Sequence, residues 1–254
     1  MRAGRTTSSP VADRVRDLLV IVPSRGRPAE AAELYDLIAA TSAAQTDMFL
    51  ARDDDDPAAY RYRSLAQSGW RTSRSGECRL WSVSGPRQGL AAWTNQIAAE
   101  NAGQYRALAS LGDDHRPRTP GWDEKLLAAL DETGGTGIAY GNDLLQGGKL
   151  PTAAVVSSGI VAALGWMCQP SLRHYCVDNV WKVLGESAGC LHYLPDVVIE
   201  HLHYLRTGEA PDSTYRETET AELRSNADRD AYQRWLAGDM AADVVTVKNL
   251  LGER

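Results

Sequence analysis

Residues 18–22 read LLVIV, an unbroken apolar run, and the pattern that follows it recurs along the first half of the chain. A continuous β-branched run suits a strand buried on both faces. A turn-rich loop, PSRGRP, comes next, and then AEAAELYDLIAAT places Leu34, Leu37 and Ile38 at helical spacing. The same order returns three times. TDMFLA (46–51) runs into RDDDDP. RLWSVS (79–84) runs into GPRQG and a helix over about 89–102, with Leu90, Trp93 and Ile97 on one face. YRALASL (105–111) runs into GDDHRPRTPGW. Strand, loop and helix in repeated order predict an α/β fold with a parallel sheet and right-handed crossovers. In such a sheet ligands bind beyond the carboxyl ends of the strands. The loops at 23–28, 52–57, 85–89 and 112–117 are therefore expected to share one edge.

The second half is less regular. Residues 123–133 read as a helix, GIAYG as a short strand, and AAVVSSGIVAALG as a strand turning into a helix. VDNVWKVLGESAG (177–189) is helical with Gly189 as its C-cap, and CLHYLPDVVIEHLHY reads as two strands split by Pro195. Residues 207–228 are polar and read as an extended segment, and the chain closes in one or two helices. The organisation expected is a flexible tail over 1–16, a main α/β domain over 17–206, and a helical extension over 207–254 packed on it.

A net charge of -6 argues against nucleic acid as the main partner. The cysteines, at 78, 168, 176 and 190, form no C-x-x-C pair and no zinc-like spacing, which points to free thiols in a reducing compartment. No apolar run nears the ~18 residues a membrane span needs. The N-terminal stretch lacks the apolar centre of a secretory signal. The expected location is cytoplasmic.

The polar residues gather on the predicted loops. LGDDH offers oxygen ligands and an imidazole, the donors that Mg²⁺ or Mn²⁺ takes when it bridges carboxylates to phosphates. A solvated turn explains the same residues. His201 and His203 alternate, so either can complete a shell with Asp114, or the two form a structural pair. In RDDDDP, Asp54 and Asp55 are candidates for a base or ribose hydroxyl. Arg25, Arg27 and Arg87 are candidates for a diphosphate, with surface solubility as the alternative.

In order and spacing these motifs, over residues 18–204, resemble a GT-A fold glycosyltransferase of the family 2 type. LLVIVPSRGRP is similar to the family's opening strand and loop, FLARDDDD to its acidic second strand end, and GPRQGLAAWTNQIAAENAGQYRALASLGDD to its helix and metal-binding D-x-D segment. The resemblance implies a mostly parallel, Rossmann-like sheet flanked by helices, an NDP-sugar donor and Mn²⁺ or Mg²⁺. It places the metal on Asp114 and His201. The donor falls to Pro23, Ser24, Arg25, Asp54, Asp55, Arg87, Asn95, Asp113 and Asp143. The family's first aspartate falls on Gly112, and an alternative register takes Asp113-x-His115. Asp178 falls on the catalytic base, or else caps its helix. His115, His203 and Trp122 are further candidates for metal or acceptor. The implied reaction is sugar transfer with inversion to a glycan, protein, lipid or modified nucleic acid. Three alternatives remain open: a decayed nucleotide- or carbohydrate-binding module, a sugar-phosphate nucleotidyltransferase, and a metal phosphoesterase.

Overall fold

A computed structural model describes residues 15–62, 65, 69–203, 216 and 226–252. The LLVIV run lies inside strand β1 (Arg16–Ser24) and is buried on both faces. Leu18, Val20 and Val22 pack with Leu34, Tyr35 and Ile38 of helix α1 (Pro28–Thr41). Leu19 and Ile21 pack on the other face with Ala91, Trp93 and Ile97 of helix α2 (Leu90–Asn101). Pro28 opens α1, where its missing N–H costs nothing and its fixed φ suits the first turn.

Strand β1 pairs in parallel with β2 (Thr46–Asp53) and β5 (Tyr105–Ser110), and β2 pairs in parallel with β4 (Gly76–Gly85). The parallel core expected from the sequence is therefore present. A short strand, β3 (Trp70–Ser73), which the sequence reading left out, forms an antiparallel hairpin with β4. Beyond β5 the sheet turns mixed. Among the described residues its nine strands run β3-β4-β2-β1-β5-β8-β7-β9-β6. Here β6 is His115–Pro117, β7 Ile138–Asn142, β8 Ala154–Ser157 and β9 Leu191–His201. Strand β8 lies antiparallel to both β5 and β7, while β9 is parallel to β7.

Two local expectations change. GDDHRPRTPGW is not all loop: His115–Pro117 pairs antiparallel with the end of β9, placing His115 opposite His201. The two strands expected around Pro195 are one, β9, which bulges instead of breaking. Gly141 sits opposite Leu194 and Asn142 opposite Val198. Gly141 has no room for a side chain, because a Cβ there would meet the Val197 carbonyl oxygen.

Helices α3 (Trp122–Glu132), α4 (Ser158–Leu164) and α5 (Val177–Ala188) complete the layers, and Gly189 ends α5 at φ 79° as expected. Helices α6 (Ala227–Ala237) and α7 (Met240–Gly252) bury Ala231, Trp235, Val244 and Val247 with Val180, Trp181 and Leu184 of α5. The four cysteines are free thiols. Among the described residues no helix is long and apolar enough to cross a membrane. The tail expected over 1–16 and the extended segment over 207–228 fall mostly outside the described residues.

Candidate active site

Because β1, β2, β4 and β5 run in parallel, the loops after them converge. Asp113 follows β5 and is buried, with Ser24 Oγ donating to its Oδ2 at 2.6 Å and Arg27 Nη1 to its Oδ1 at 3.2 Å. The chain of donors continues backwards: Tyr62 O–H shares 2.8 Å with Ser24, and the Arg27 N–H donates to Tyr62 at 3.0 Å. Burial, then the neighbouring Asp114 carboxylate, push Asp113 well above the usual carboxylate range, against Arg27 and Ser24.

The acidic run after β2 divides. Asp53 and Asp56 are buried. Asp53 accepts from Trp93 Nε1 at 2.9 Å, and Arg25 Nη1 lies 3.4 Å away, with Arg87 Nε at 4.0 Å. Asp56 accepts from the Gly26 and Ala58 N–H groups at 2.8 and 2.7 Å, lacing the first two loops together. Asp54 and Asp55 stay exposed, with Asp55 holding Arg25 at 2.6 Å.

Asp114 stands between two imidazoles. Its Oδ1 is 3.5 Å from His115 Nδ1 and its Oδ2 is 3.5 Å from His201 Nε2. The donor atoms of the three residues lie within 4.8 Å of one another, so they could hold a metal ion. The histidine rings stack at 4.3 Å. His115 Nδ1 accepts the Gly112 N–H at 2.9 Å, which commits that lone pair and leaves Asp114 and His201 as the better-placed ligands. Burial and the His201 charge hold His115 far below the usual imidazole range. His201 goes the other way. Burial pulls it down, but Asp114, with help from Asp143 and Asp178, outweighs that and raises it. The same negative field that favours an imidazolium favours a divalent cation.

A cavity of about 440 Å³ opens over this cluster, and Asp114, His201, His203, Asp178, Tyr175 and Trp181 line it. Asp178 does not cap α5. Cys176 holds the cap position, and Asp178, in the first turn, accepts from its neighbour Asn179 N at 2.9 Å. Burial raises its carboxyl above the usual range. A larger cavity, about 810 Å³, opens around Arg16, Arg79 and Trp81 at the amino ends of the strands, away from this chemistry.

Three candidates are taken up by structural contacts. Asn95 braces the backbone of Met167 and Cys168 through bonds of 2.6 to 2.9 Å. Asp143 is buried, accepting from the N–H groups of Leu145, Gln146 and Gly147 and from Thr152, so it organises its own loop. Trp122 is fully buried in the core. Conversely, the sequence reading passed over Tyr62 and the wall residues His174, Tyr175 and Cys176. The polar and aromatic cluster RHYC just before α5 was the available signal for the wall. Tyr62 had none.

No protein-family model matches the sequence, and no curated protein matches it significantly. Solved structures do match. A mannosyltransferase from Pyrobaculum calidifontis, in complex with GDP-Man and Mn²⁺, superposes with a TM-score of 0.63 at 13% identity, over 92% of this chain and 73% of that one. TarS of S. aureus in complex with UDP gives 0.53 at 10% identity, over 72% of this chain and 59% of that one. Glucosyl-3-phosphoglycerate synthase from Mycobacterium tuberculosis, with Mn²⁺, UDP-Glc and phosphoglyceric acid, gives 0.51 at 14% identity, over 78% and 81%. The fold is thus that of the GT-A glycosyltransferases, as the sequence resemblance implied.

Proposed function

We propose that the protein is a metal-dependent glycosyltransferase acting on a nucleotide-sugar donor. One observation carries this reading: Asp114, in the turn after β5, and His201, at the end of β9, meet Asp178 across one cavity at the carboxyl edge of a GT-A sheet. The donor set of one carboxylate and one imidazole fits Mn²⁺, and Mg²⁺ less well. A divalent cation there would supply neutralisation of the departing diphosphate.

The chain's own residues do the rest. Pro23, Ser24 and Arg25, with Asp54 and Asp55 at the rim, hold the nucleoside. Arg87 sits beside Asp53, where a diphosphate would pass. Ser24 and Arg27 fix Asp113 for a ribose hydroxyl or the metal. Asp178 takes the proton of the acceptor hydroxyl as its oxygen bonds to the anomeric carbon. The bond from that carbon to the diphosphate oxygen breaks on the opposite face, so the configuration inverts.

The glycine at position 112 does not favour a decayed module, since it makes room for Asp114 and His115. Thermal melting with a panel of nucleoside diphosphates and nucleotide sugars, with and without Mn²⁺, tests the proposal. The expected result is a metal-dependent rise for one nucleotide, lost in Asp114→Ala. No rise for any nucleotide, or a full rise in Asp114→Ala, overturns it.

A further inference from the structure

A buried carboxylate of the C-terminal helix pair reaches the cavity wall. Asp228, in the first turn of α6, is fully buried. Its carboxylate accepts from three consecutive backbone N–H groups, those of Arg173 and His174 at 2.8 Å and Tyr175 at 2.7 Å. Residues 173–175 are themselves exposed, between buried Leu172 and Val177. The Arg173 carbonyl also accepts from Ala91 N at 3.0 Å. Glycine at 89 permits that approach, because a Cβ there would lie 3.1 Å from the Arg173 oxygen. The segment then delivers His174, Tyr175 and Cys176 to the cavity wall. It turns at Cys176 with φ 65° and enters α5 just before Asp178.

We propose that Asp228 is a positioning residue for the acceptor side of the active site. It couples the C-terminal helix pair to the wall formed by residues 174–176, and through them sets the approach to Asp178. A buried carboxylate holding three N–H groups cannot let go of them without leaving an uncompensated charge, so wall and helix move together. The acceptor assignment rests on the transferase reading, whereas the coupling rests on geometry alone.

Alkylation by iodoacetamide reads the coupling, because Cys78, Cys168 and Cys190 are buried and Cys176 lies on the wall. In Asp228→Asn the amide turns one acceptor into a donor facing N–H groups, and Cys176 is expected to react at least about tenfold faster. Asp243 accepts from Trp235 Nε1 at 2.7 Å within the same helix pair, and Asp243→Asn loosens that pair without touching the wall. Its Cys176 rate should stay within about twofold of the unaltered protein. An unchanged rate in Asp228→Asn, or equal acceleration in both variants, overturns the proposal. Hydrogen exchange on the unaltered protein gives a check that needs no variant. The amides of 173–175 should be protected despite their exposed side chains, and exchange at free rates overturns the coupling. For the acceptor role, Mn²⁺-dependent binding of UDP-glucose or GDP-mannose should stay within about twofold in Asp228→Asn while turnover falls. Lost nucleotide binding in the variant alone overturns that role. No binding in either protein counts against the transferase reading, and the Cys176 rates still decide the coupling.

Discussion

At position 112 the resemblance calls for an aspartate and the chain has glycine. A Cβ built there would lie 2.5 Å from Asp114 Oδ1 and 3.1 Å from His115 Nδ1. Any side chain must displace the Asp114 carboxylate. Gly112→Asp is therefore expected to weaken Mn²⁺-dependent nucleotide binding at least about tenfold, rather than restore a lost ligand. Calorimetric titration measures this, and undiminished affinity would mean that Asp114 is not held as described. Asp178 makes the complementary case. Asp178→Asn should lower kcat by roughly 10²–10⁴ and leave nucleotide affinity unchanged. Burial raises this carboxyl, and a base works only when deprotonated. Activity should therefore climb with pH across a range above the ordinary carboxylate pKa. A kcat/KM profile whose acid limb sits at the ordinary value would remove Asp178 from the role.

Between elements, one device recurs: a buried aspartate that gathers the N–H groups of a loop. Asp123 at the start of α3 holds Ala43, Ala44 and Thr46, which join α1 to β2. Asp143 holds the turn after β7, and Asp228 holds the wall before α5. In the sequence these carboxylates look like Asp113 and Asp114, polar residues near element ends. What separates a brace from a ligand is whether backbone N–H groups curl back onto it, and that depends on tertiary placement. For this reason the sequence reading set Asp143 beside Asp113, Asp114 and Asp178, although backbone N–H groups gather on it. His115 was harder still, since a three-residue strand ending in proline has no periodicity to read. The brace also has a pH signature. Burial alone would raise Asp143, but its backbone bonds and Thr152 more than reverse that and hold it below the ordinary value. Its stabilisation is present above the unfolded-state pKa and is lost as pH falls through the lower folded-state value. Asp143→Asn should cost about 1–3 kcal/mol in urea unfolding at neutral pH. The gap from the unaltered protein should shrink below about pH 4. A gap that stays constant into acid would show that the charge on Asp143 contributes nothing.

Across the whole molecule, the parallel half was legible because β1, β2 and β5 are buried apolar runs and helices α1 and α2 follow β1 and β4. The mixed half was not. The connection 143–153 carries only a 3₁₀ turn, Gly147–Lys149, so it returns β8 antiparallel beside β7 instead of crossing over. That reversal brings the end of β9 near the end of β5. Asp114 links β5 to β6, and β6 pairs with the end of β9 at His201, although β8 and β7 separate β5 from β9 in the sheet. A cation held by both residues would tie the two halves together, and its binding should appear as global stability. With nucleoside diphosphate and metal at about a hundredfold excess over the dissociation constant, the gain is about 2.7 kcal/mol. Because one ligand is an imidazole, Mn²⁺ should raise Tm more than Mg²⁺, which prefers oxygen donors and keeps its waters. Excess EDTA should return Tm to its starting value. His201→Ala should abolish the Mn²⁺ advantage and leave a weaker response that no longer discriminates between the ions. Equal shifts with the two metals in the unaltered protein, unchanged in His201→Ala, would show that the cation is held by oxygens alone. The halves would then be joined only through the sheet.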